Sequence, residues 1–268
     1  MAERLAQLRF AWVLERASIR AEMQYRTNFF SMVLLGLVYQ ASGFSFVFVV
    51  MHNFDLVGGW NLGEIAFLYG LRLLAHAVCI VPLSHLWMLD REIREAKFDR
   101  YLVRPLSPFL QFLTSKFQMN AVGDLIAALA VLGFAATQIS FDFTMLTILY
   151  LLVSVVGAAM IEASLQVSLA SIAFRTLNTE AIRSLADTVM GLLGSYPLTI
   201  FSKFTAALLT FPIAFLAYFP AAIALGKQAD LAVPVWIAYC TAPIGVLSVL
   251  LARKIWGSQV RHYQSSGH

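Results

Sequence analysis

Long apolar runs separated by short charged segments dominate the pattern of this sequence. The first run, 29–51, contains no acidic or basic side chain. At 1.5 Å of rise per residue, about 20 apolar residues cross the ~30 Å hydrocarbon core of a membrane. Five further runs follow, at 62–89, 117–139, 143–174, 185–201 and 231–252. The pattern predicts an all-α membrane protein with six transmembrane helices.

One more apolar segment lies between the fifth and sixth runs, and Pro212 and Pro220 interrupt it. A full crossing there would give seven spans and place the termini on opposite sides of the membrane. A re-entrant helical hairpin would give six spans and keep both termini on one side. Cytoplasmic loops retain Lys and Arg. All of the 19 Lys and Arg residues except Arg72, Lys203 and Lys227 lie on one side in the six-span arrangement. We therefore predict cytoplasmic termini and an extracellular hairpin.

The composition agrees with this assignment. Hydrophobic residues make up 60% of the 268 residues and charged residues 13%, and the mean hydropathy is +0.75. A soluble domain carries about 25% charged residues, so a soluble protein is excluded. Cys79 and Cys240 both fall inside apolar runs and suggest no disulfide.

A single membrane domain is predicted over residues 1–268. Its parts are an amphipathic cytoplasmic interface helix (1–28), spans one and two (29–89), a cytoplasmic charged loop (90–116), spans three to five (117–203), the re-entrant hairpin (204–230), and span six with a cytoplasmic tail (231–268). In the first part, Leu5, Leu8, Trp12, Ile19 and Met23 form one apolar stripe beside arginines. Such a helix can lie at the headgroup level; the alternative is a segment that serves only as a topology signal.

Motifs for catalysis are absent from the sequence. Gly226-Lys227 is followed by Gln228 and has no upstream glycine at the phosphate-loop spacing, and neither H-E-x-x-H nor G-x-S-x-G occurs. The histidines show no metal-ligand spacing, and the paired aspartates that hold magnesium are missing. We therefore predict that the chain is not an enzyme and has no catalytic, metal-binding or cofactor-binding residues of its own.

Ionisable residues inside the apolar runs need an explanation. Arg72 is about 15 Å into the second run, His76 follows one helical turn later, and Asp124 and Glu162 are available as counter-charges. Each such residue costs at least ~2.5–3.5 kcal/mol at the bilayer centre. Two hypotheses account for them: a polar translocation path or gate, or a static ion pair such as Arg72 with Asp124 that fastens two helices together.

The charged loop contains a segment with the residues of a docking element. Phe98, Tyr101 and Leu102 can fill an apolar socket on a partner, while Asp99, Arg100 and Arg104 can form a polar rim and Pro105 with Pro108 can stiffen the exit. The alternative is a basic loop that only follows the positive-inside rule.

Three groups of motifs resemble those of permease subunits of type-2 ABC exporters. They are the segment 95–108 with Gly123-Asp124-Leu125-Ile126, the segments Tyr196-Pro197-Leu198-Thr199-Ile200-Phe201, 209–215 and 218–221, and the C-terminal stretch from Trp256-Gly257 to Tyr263. The resemblance covers nearly the whole chain and is strongest with bacterial permeases that have a separately encoded ATPase. Two departures are Ala96-Lys97, where glycine often precedes the Phe-Asp pair, and Ser202, where proline often follows Ile-Phe.

The resemblance implies the type-2 ABC exporter fold and an ATP-driven permease in the bacterial cytoplasmic (inner) membrane. The charged loop would be a coupling helix seated on a cytoplasmic nucleotide-binding subunit. Two such subunits would bind ATP and Mg²⁺, and a second permease, identical or paralogous, would complete the transporter. The cargo would be an amphipathic or hydrophobic compound, namely a drug-like molecule, a lipid or glycolipid, or a peptide. No nucleic-acid partner is expected. The alternatives are a non-transporting membrane scaffold and an intramembrane lipid-modifying enzyme.

Overall fold

A computed structural model of the chain describes residues 13, 16–21, 23–104, 107–115, 120–139 and 144–265. The described residues form helices and contain no β-strand; an isolated bridge between Val57 and Trp60 closes one loop. The α-helices, numbered from the first one bounded in the described part, are α1 (Arg26–Asn53), α2 (Leu62–Leu83), α3 (Leu89–Arg94), α4 (Asp99–Leu102), α5 (Pro108–Leu113), α6 (Asn120–Gln138), α7 (Met145–Ser171), α8 (Ala173–Thr176), α9 (Glu180–Leu193), α10 (Lys203–Leu208), α11 (Phe219–Ala224), α12 (Val235–Ala238) and α13 (Thr241–Gln259).

Four stretches among the described residues are long and apolar enough to cross a membrane. They are Arg26–Asn53, Leu62–Arg94, Ala121–Gln138 and Met145–Thr176, and they correspond to the first four predicted spans. The predicted count of six stays a prediction. The helix at the fifth position, α9, ends at Leu193, and the chain then turns through Pro197.

The sixth predicted span, 231–252, differs from the helix found there. The chain enters a short turn of helix, α12, after Pro234, and the long helix α13 runs from Thr241 to Gln259. Proline lacks the backbone N–H that a helix interior needs. Pro243 therefore cannot donate to the Tyr239 carbonyl, and the chain turns at 239–240 between α12 and α13.

Most of the predicted interface helix, 1–28, lies outside the described residues. Residues 16–21 are helical, and α1 begins at Arg26.

Helix α2 lies at the centre of the structure. It begins with a capping box in which the Glu64 backbone N–H donates to Asn61 Oδ1 (3.0 Å) and the Asn61 N–H donates to Glu64 Oε2 (2.8 Å). Helices α6 and α7 and the segment 210–224 pack around it. Most of its residues are buried, whereas those of α1 are largely exposed despite being equally apolar. The apolar face of α1 is therefore available to lipid or to a second protein.

The predicted hairpin region is helical and broken once. Helix α10 is followed by a π-helical segment, Thr210–Tyr218, in which Phe211 has non-helical φ and ψ angles, and the Phe211–Pro212 peptide bond is cis. Thr199, just before this region, and Lys227, near its end, both contact the loop between α1 and α2. Thr199 Oγ1 donates to Gly58 O at 2.7 Å, and Lys227 Nζ donates to Gly59 O at 2.8 Å. The region thus leaves this loop and returns to it.

Two glycines set the distance between α7 and α13. A Cβ atom on Gly157 would lie 2.7 Å from the Cα atom of Ala242, and one on Gly245 would lie 2.6 Å from the Gly157 carbonyl oxygen. Small residues let helix backbones approach closely in membranes, where apolar side chains gain little by avoiding lipid. The pair Gly157 and Gly245 therefore fixes α13 directly against α7.

We expect Gly245→Leu to destabilise the protein because backbone atoms, which cannot move aside, occupy the space of the new side chain. The expected loss is about 1–3 kcal/mol or more, measured as a lower thermal unfolding midpoint in detergent. Gly133→Leu is the matched control, since a Cβ atom at Gly133 meets nothing within 4 Å. Equal midpoints for the two variants would contradict the close packing.

Candidate functional site

A cluster of buried charges joins α2 to α7. Arg72 Nη1 lies 3.2 Å from Glu162 Oε2, and the side chains are 6% and 0% exposed. His76 Nδ1 lies 2.5 Å from Glu162 Oε1. Arg72 Nε also donates to the carbonyl oxygen of Met190 in α9 at 3.3 Å. Arg72 therefore holds three helices together through one guanidinium group.

The specific ion pair suggested from the sequence, Arg72 with Asp124, is wrong. Asp124 Oδ1 instead accepts a hydrogen bond from Gln40 Nε2 of α1 at 2.9 Å. Helix α2 packs against both α6, which carries Asp124, and α7, which carries Glu162. The rotation of each helix about its axis decides which acid faces Arg72, and the structure turns Glu162 towards it.

A cavity of about 480 Å³ opens beside this cluster. Arg72 and His76 form one part of its wall, and the remainder comes chiefly from α1, from α9 and from the turn that follows α9. The lining includes Tyr39, Gln40, Tyr69, Asp187, Ser195 and Tyr196. Aromatic, amide, hydroxyl and charged groups thus meet in one space within the helices.

Asp187 is a cavity residue that sequence reasoning missed. The signal was available, because an acidic residue occurs inside the predicted fifth span. Single ligand atoms of His76, Glu162 and Asp187 lie within 4.8 Å of one another, so these side chains could in principle hold a cation. The Arg72 guanidinium already supplies a positive charge opposite Glu162, and a divalent ion would be repelled by it at this short distance.

The aromatic residues of the predicted docking segment are buried inside the chain itself. Phe98 is 0% exposed and Tyr101 3% exposed. The Phe98 ring packs against those of Phe112, Phe174 and Tyr263 with centroid distances of 6.0, 5.0 and 5.3 Å. The interpretation of Phe98 and Tyr101 as anchors for a partner's socket is therefore corrected. They form the core that supports α4.

The exposed part of this segment is its tip. Leu102 is 44% exposed and Val103 81% exposed, and Arg100 and Arg104 are exposed beside them. Pro105 lies outside the described residues. Arg100 Nη2 also donates to Glu92 Oε1 at 2.8 Å and to the Tyr101 hydroxyl at 2.6 Å, so this arginine is fixed rather than extended.

Ala96 and Ser202 show what the two departures from the family motifs do. Ala96 has φ 54°, a left-handed conformation that glycine adopts without steric cost. This turn thus retains the backbone shape that a glycine would favour, at some conformational cost. Ser202 accepts a hydrogen bond from the Thr205 N–H at 3.2 Å and thereby caps the start of α10.

Asp99 is held by the C-terminal segment. Tyr263 Oη donates to Asp99 Oδ1 and Ser265 Oγ donates to Asp99 Oδ2, both at 2.6 Å. The hydrogen bonds from Ser265 and Tyr263 lower the pKa of the Asp99 carboxyl. Because the pKa of Asp99 is lower in the folded state, the contact contributes its full stability above the pKa of the unfolded state. That stability is lost only as the pH falls through the pKa of the folded state. The contact is therefore fully present at neutral pH.

Asp90 connects α3 to the start of α9. Its carboxylate accepts hydrogen bonds from the Thr179 backbone N–H and from Thr179 Oγ1 (2.9 Å), which precede the first turn of α9. Arg183 Nη2 lies 3.5 Å from Asp90 Oδ1, and Arg183 is 0% exposed. Arg183, one of the basic residues that the sequence assigned to the cytoplasmic side, is thus a buried partner of Asp90.

The hairpin candidates take different positions. Tyr196 lines the cavity, and Pro197 precedes a 3₁₀ turn, Leu198–Ile200. Pro212 follows the break at Phe211, and Pro220 is buried in the first turn of α11. The last two therefore lie within the segment 210–224 that packs against α2.

We expect Glu162→Gln to destabilise the protein by about 3–5 kcal/mol, because it leaves the Arg72 charge buried without a counter-charge. The thermal unfolding midpoint in detergent measures this. Arg72→Met combined with Glu162→Met removes both charges and should restore most of the loss. Glu180→Gln, an exposed glutamate, is the matched control. An unchanged midpoint for Glu162→Gln would contradict the ion pair.

Comparison with known proteins supplies the family. A family model described as "ABC-2 family transporter protein" matches residues 37–267, which include the cavity, α4 and the Asp99 contact. No curated protein and no solved structure matches the chain significantly. The family match confirms the resemblance to type-2 ABC permeases that the motifs indicated. This chain belongs to the ABC-2 family of transporter proteins.

Proposed function

We propose that the chain is the permease subunit of an ATP-driven exporter that moves an amphipathic or hydrophobic substrate outward across the bacterial cytoplasmic membrane. Family membership supports a transporter subunit. The sequence lacks a phosphate-binding loop, so ATP and Mg²⁺ belong to a partner ATPase. Two ATPase subunits and a second permease, identical or paralogous, complete the transporter.

The contact between Asp90 and the start of α9 supports this proposal most directly. Asp90 lies in α3, the helix that precedes α4 and its exposed tip at Leu102 and Val103. It binds Thr179 and Arg183. Helix α9 also contributes to the wall of the cavity. A displacement of the tip by an ATPase therefore has a short route through buried polar contacts to the cavity. A transporter that couples ATP hydrolysis to substrate movement needs such a route.

The cavity suits an amphipathic cargo. Tyrosine rings and the aliphatic side chains of Val47, Leu73 and Leu192 offer apolar contact, while Gln40, Asp187 and the hydroxyl groups offer hydrogen bonds. A drug-like compound, a lipid or glycolipid headgroup and a peptide all combine these features. An intramembrane enzyme would need reactive groups free for chemistry, whereas Glu162 is engaged by Arg72 and His76.

The topology of the proposal has six spans and an extracellular re-entrant hairpin. The contacts of Thr199 and Lys227 with the loop between α1 and α2 support a hairpin that starts and ends on one side. The distribution of Lys and Arg supports cytoplasmic termini. The tip of α4 then faces the cytoplasm, where an ATPase can reach it.

We expect Val103→Asp to weaken binding of the partner ATPase about tenfold or more, because a charge would enter the centre of an apolar contact. Binding to the reconstituted permease is measured by titration, and the thermal midpoint should not change, since Val103 is 81% exposed. Leu56→Asp, at an exposed leucine of the loop between α1 and α2, is the control.

Phe98→Ala completes this test, because it should lower the thermal midpoint as a core substitution does. Unchanged ATPase binding by Val103→Asp would count against the tip as the docking surface. It would favour a scaffold that lacks an ATPase partner.

A further inference from the structure

We propose that the C-terminal residues 260–265 form a positioning strap that fixes the ATPase-docking helix α4 to the end of α13. Force applied to α4 is then delivered directly to the last long helix as well as to its neighbours in sequence. This inference rests on the proposed function, because it assigns a second transmission route to the same docking surface.

The strap occupies both oxygens of one carboxylate. Tyr263 and Ser265 each donate an O–H group to a different oxygen of Asp99, at 2.6 Å. Hydrogen bonds to an ionised carboxylate are shorter and stronger than those between neutral groups. Asp99 is the first residue of α4, so the strap binds the docking helix itself and not a flanking loop.

Ring packing reinforces these hydrogen bonds. The Tyr263 ring lies edge-on to Phe98 and to Phe174, with centroid distances of 5.3 and 6.1 Å. Trp256, near the end of α13, packs against Phe174 and Phe112, with ring-centroid distances of 5.1 and 6.3 Å. The end of α13 and the strap therefore share one aromatic cluster with α4.

The strap is continuous with α13. The helix ends at Gln259 and passes into a 3₁₀ turn, Val260–His262, which Tyr263 closes by donating its N–H to Val260 O at 3.2 Å. His262 Nδ1 also lies 3.0 Å from the Ser258 carbonyl oxygen. A movement of Asp99 is thus passed to a segment with regular backbone hydrogen bonds.

The route continues from α13 to the buried charges. Gly245 of α13 and Gly157 of α7 bring the two backbones into direct contact. Glu162, which binds Arg72 and His76 at the cavity, lies five residues after Gly157 on the same helix. The strap thereby links the docking helix to the cavity through α13 and α7, independently of the Asp90 contact with α9.

The length of α4 explains why a strap is needed. Helix α4 has four residues, and isolated helices shorter than about 12 residues are marginal in water. Its own hydrogen bonds cannot hold it against an applied force. The aromatic cluster and the strap must therefore set its position, and the strap connects its first residue to the long helix α13.

The test is a double-mutant cycle with Asp99→Asn, Tyr263→Phe and the combination, in the permease reconstituted with its ATPase. The readout is the rate of ATP hydrolysis by the complex relative to the ATPase alone, at saturating ATPase. We expect each single variant to lower this stimulation about fivefold, and the combination to be no worse, because the two groups act as one unit. Phe at position 263 keeps the ring packing, so the thermal midpoint should hold. Asp99→Glu should restore part of the stimulation, and Tyr239→Phe is the control.

Each outcome decides the proposal. Unchanged ATPase binding by Val103→Asp would overturn the docking surface and the strap together. If Val103→Asp weakens binding while Tyr263→Phe and Asp99→Asn keep full stimulation, only the strap is overturned. If the variants that lose stimulation also have clearly lower thermal midpoints, the contact has only a structural role, and the strap is again overturned.

A cross-link provides a second test that does not depend on weakening the fold. Asp99→Cys and Ser265→Cys are combined in a background in which Cys79 and Cys240 are replaced by serine. In the reduced form we expect the lowered stimulation of Asp99→Asn, because the carboxylate that binds the strap is gone. Oxidation joins the two positions and should restore stimulation, because the strap stays attached throughout the cycle. Full stimulation in the reduced form, or stimulation that oxidation lowers further, would overturn the strap.

Discussion

The burial of the Arg72 guanidinium is the constraint on which the rest of the structure depends. A charge among apolar helices is costly unless it is paired and hydrogen-bonded. Glu162 of α7 pairs with the Arg72 charge, His76 of α2 contacts the same carboxylate, and the Met190 carbonyl of α9 accepts a hydrogen bond from Arg72. The three helices must therefore stay in register around the cavity. Two connections then lead from this assembly to α4, the proposed docking helix, one through Asp90 and α9 and the other through α13.

The sequence predicted the helical class and the first four membrane-length helices well, because long apolar runs carry that information directly. It predicted the later helices less well. The runs near Pro197 and Pro234 are apolar, but proline and the turns beside it divide them. Hydropathy averages over such breaks and cannot show where a helix stops. The helix-to-helix contact at Gly157 and Gly245 was also invisible, since it depends on three-dimensional pairing.

The candidate site was predicted in part. The cost of intramembrane charge pointed to Arg72, but the choice between Asp124 and Glu162 depends on how each helix is rotated, which a linear pattern does not contain. The aromatic residues at 98 and 101 suggested a docking surface. Phe98 instead packs against Phe174 and Tyr263, which lie far away in sequence, and Tyr101 packs against Phe98 and Phe112. The apolar residues that are exposed at the tip are Leu102 and Val103.

Labelling of a cavity residue shows most directly whether α4 and the cavity move together. Ser195→Cys in a background with Cys79 and Cys240 replaced by serine is exposed to a membrane-impermeant thiol reagent from outside, with and without ATP, in the complex with the ATPase. We expect ATP to raise the labelling rate severalfold and Asp90→Asn to reduce this response. Leu56→Cys, at an exposed leucine of the loop between α1 and α2, is the control. Labelling of Ser195→Cys that is the same with and without ATP would contradict the account.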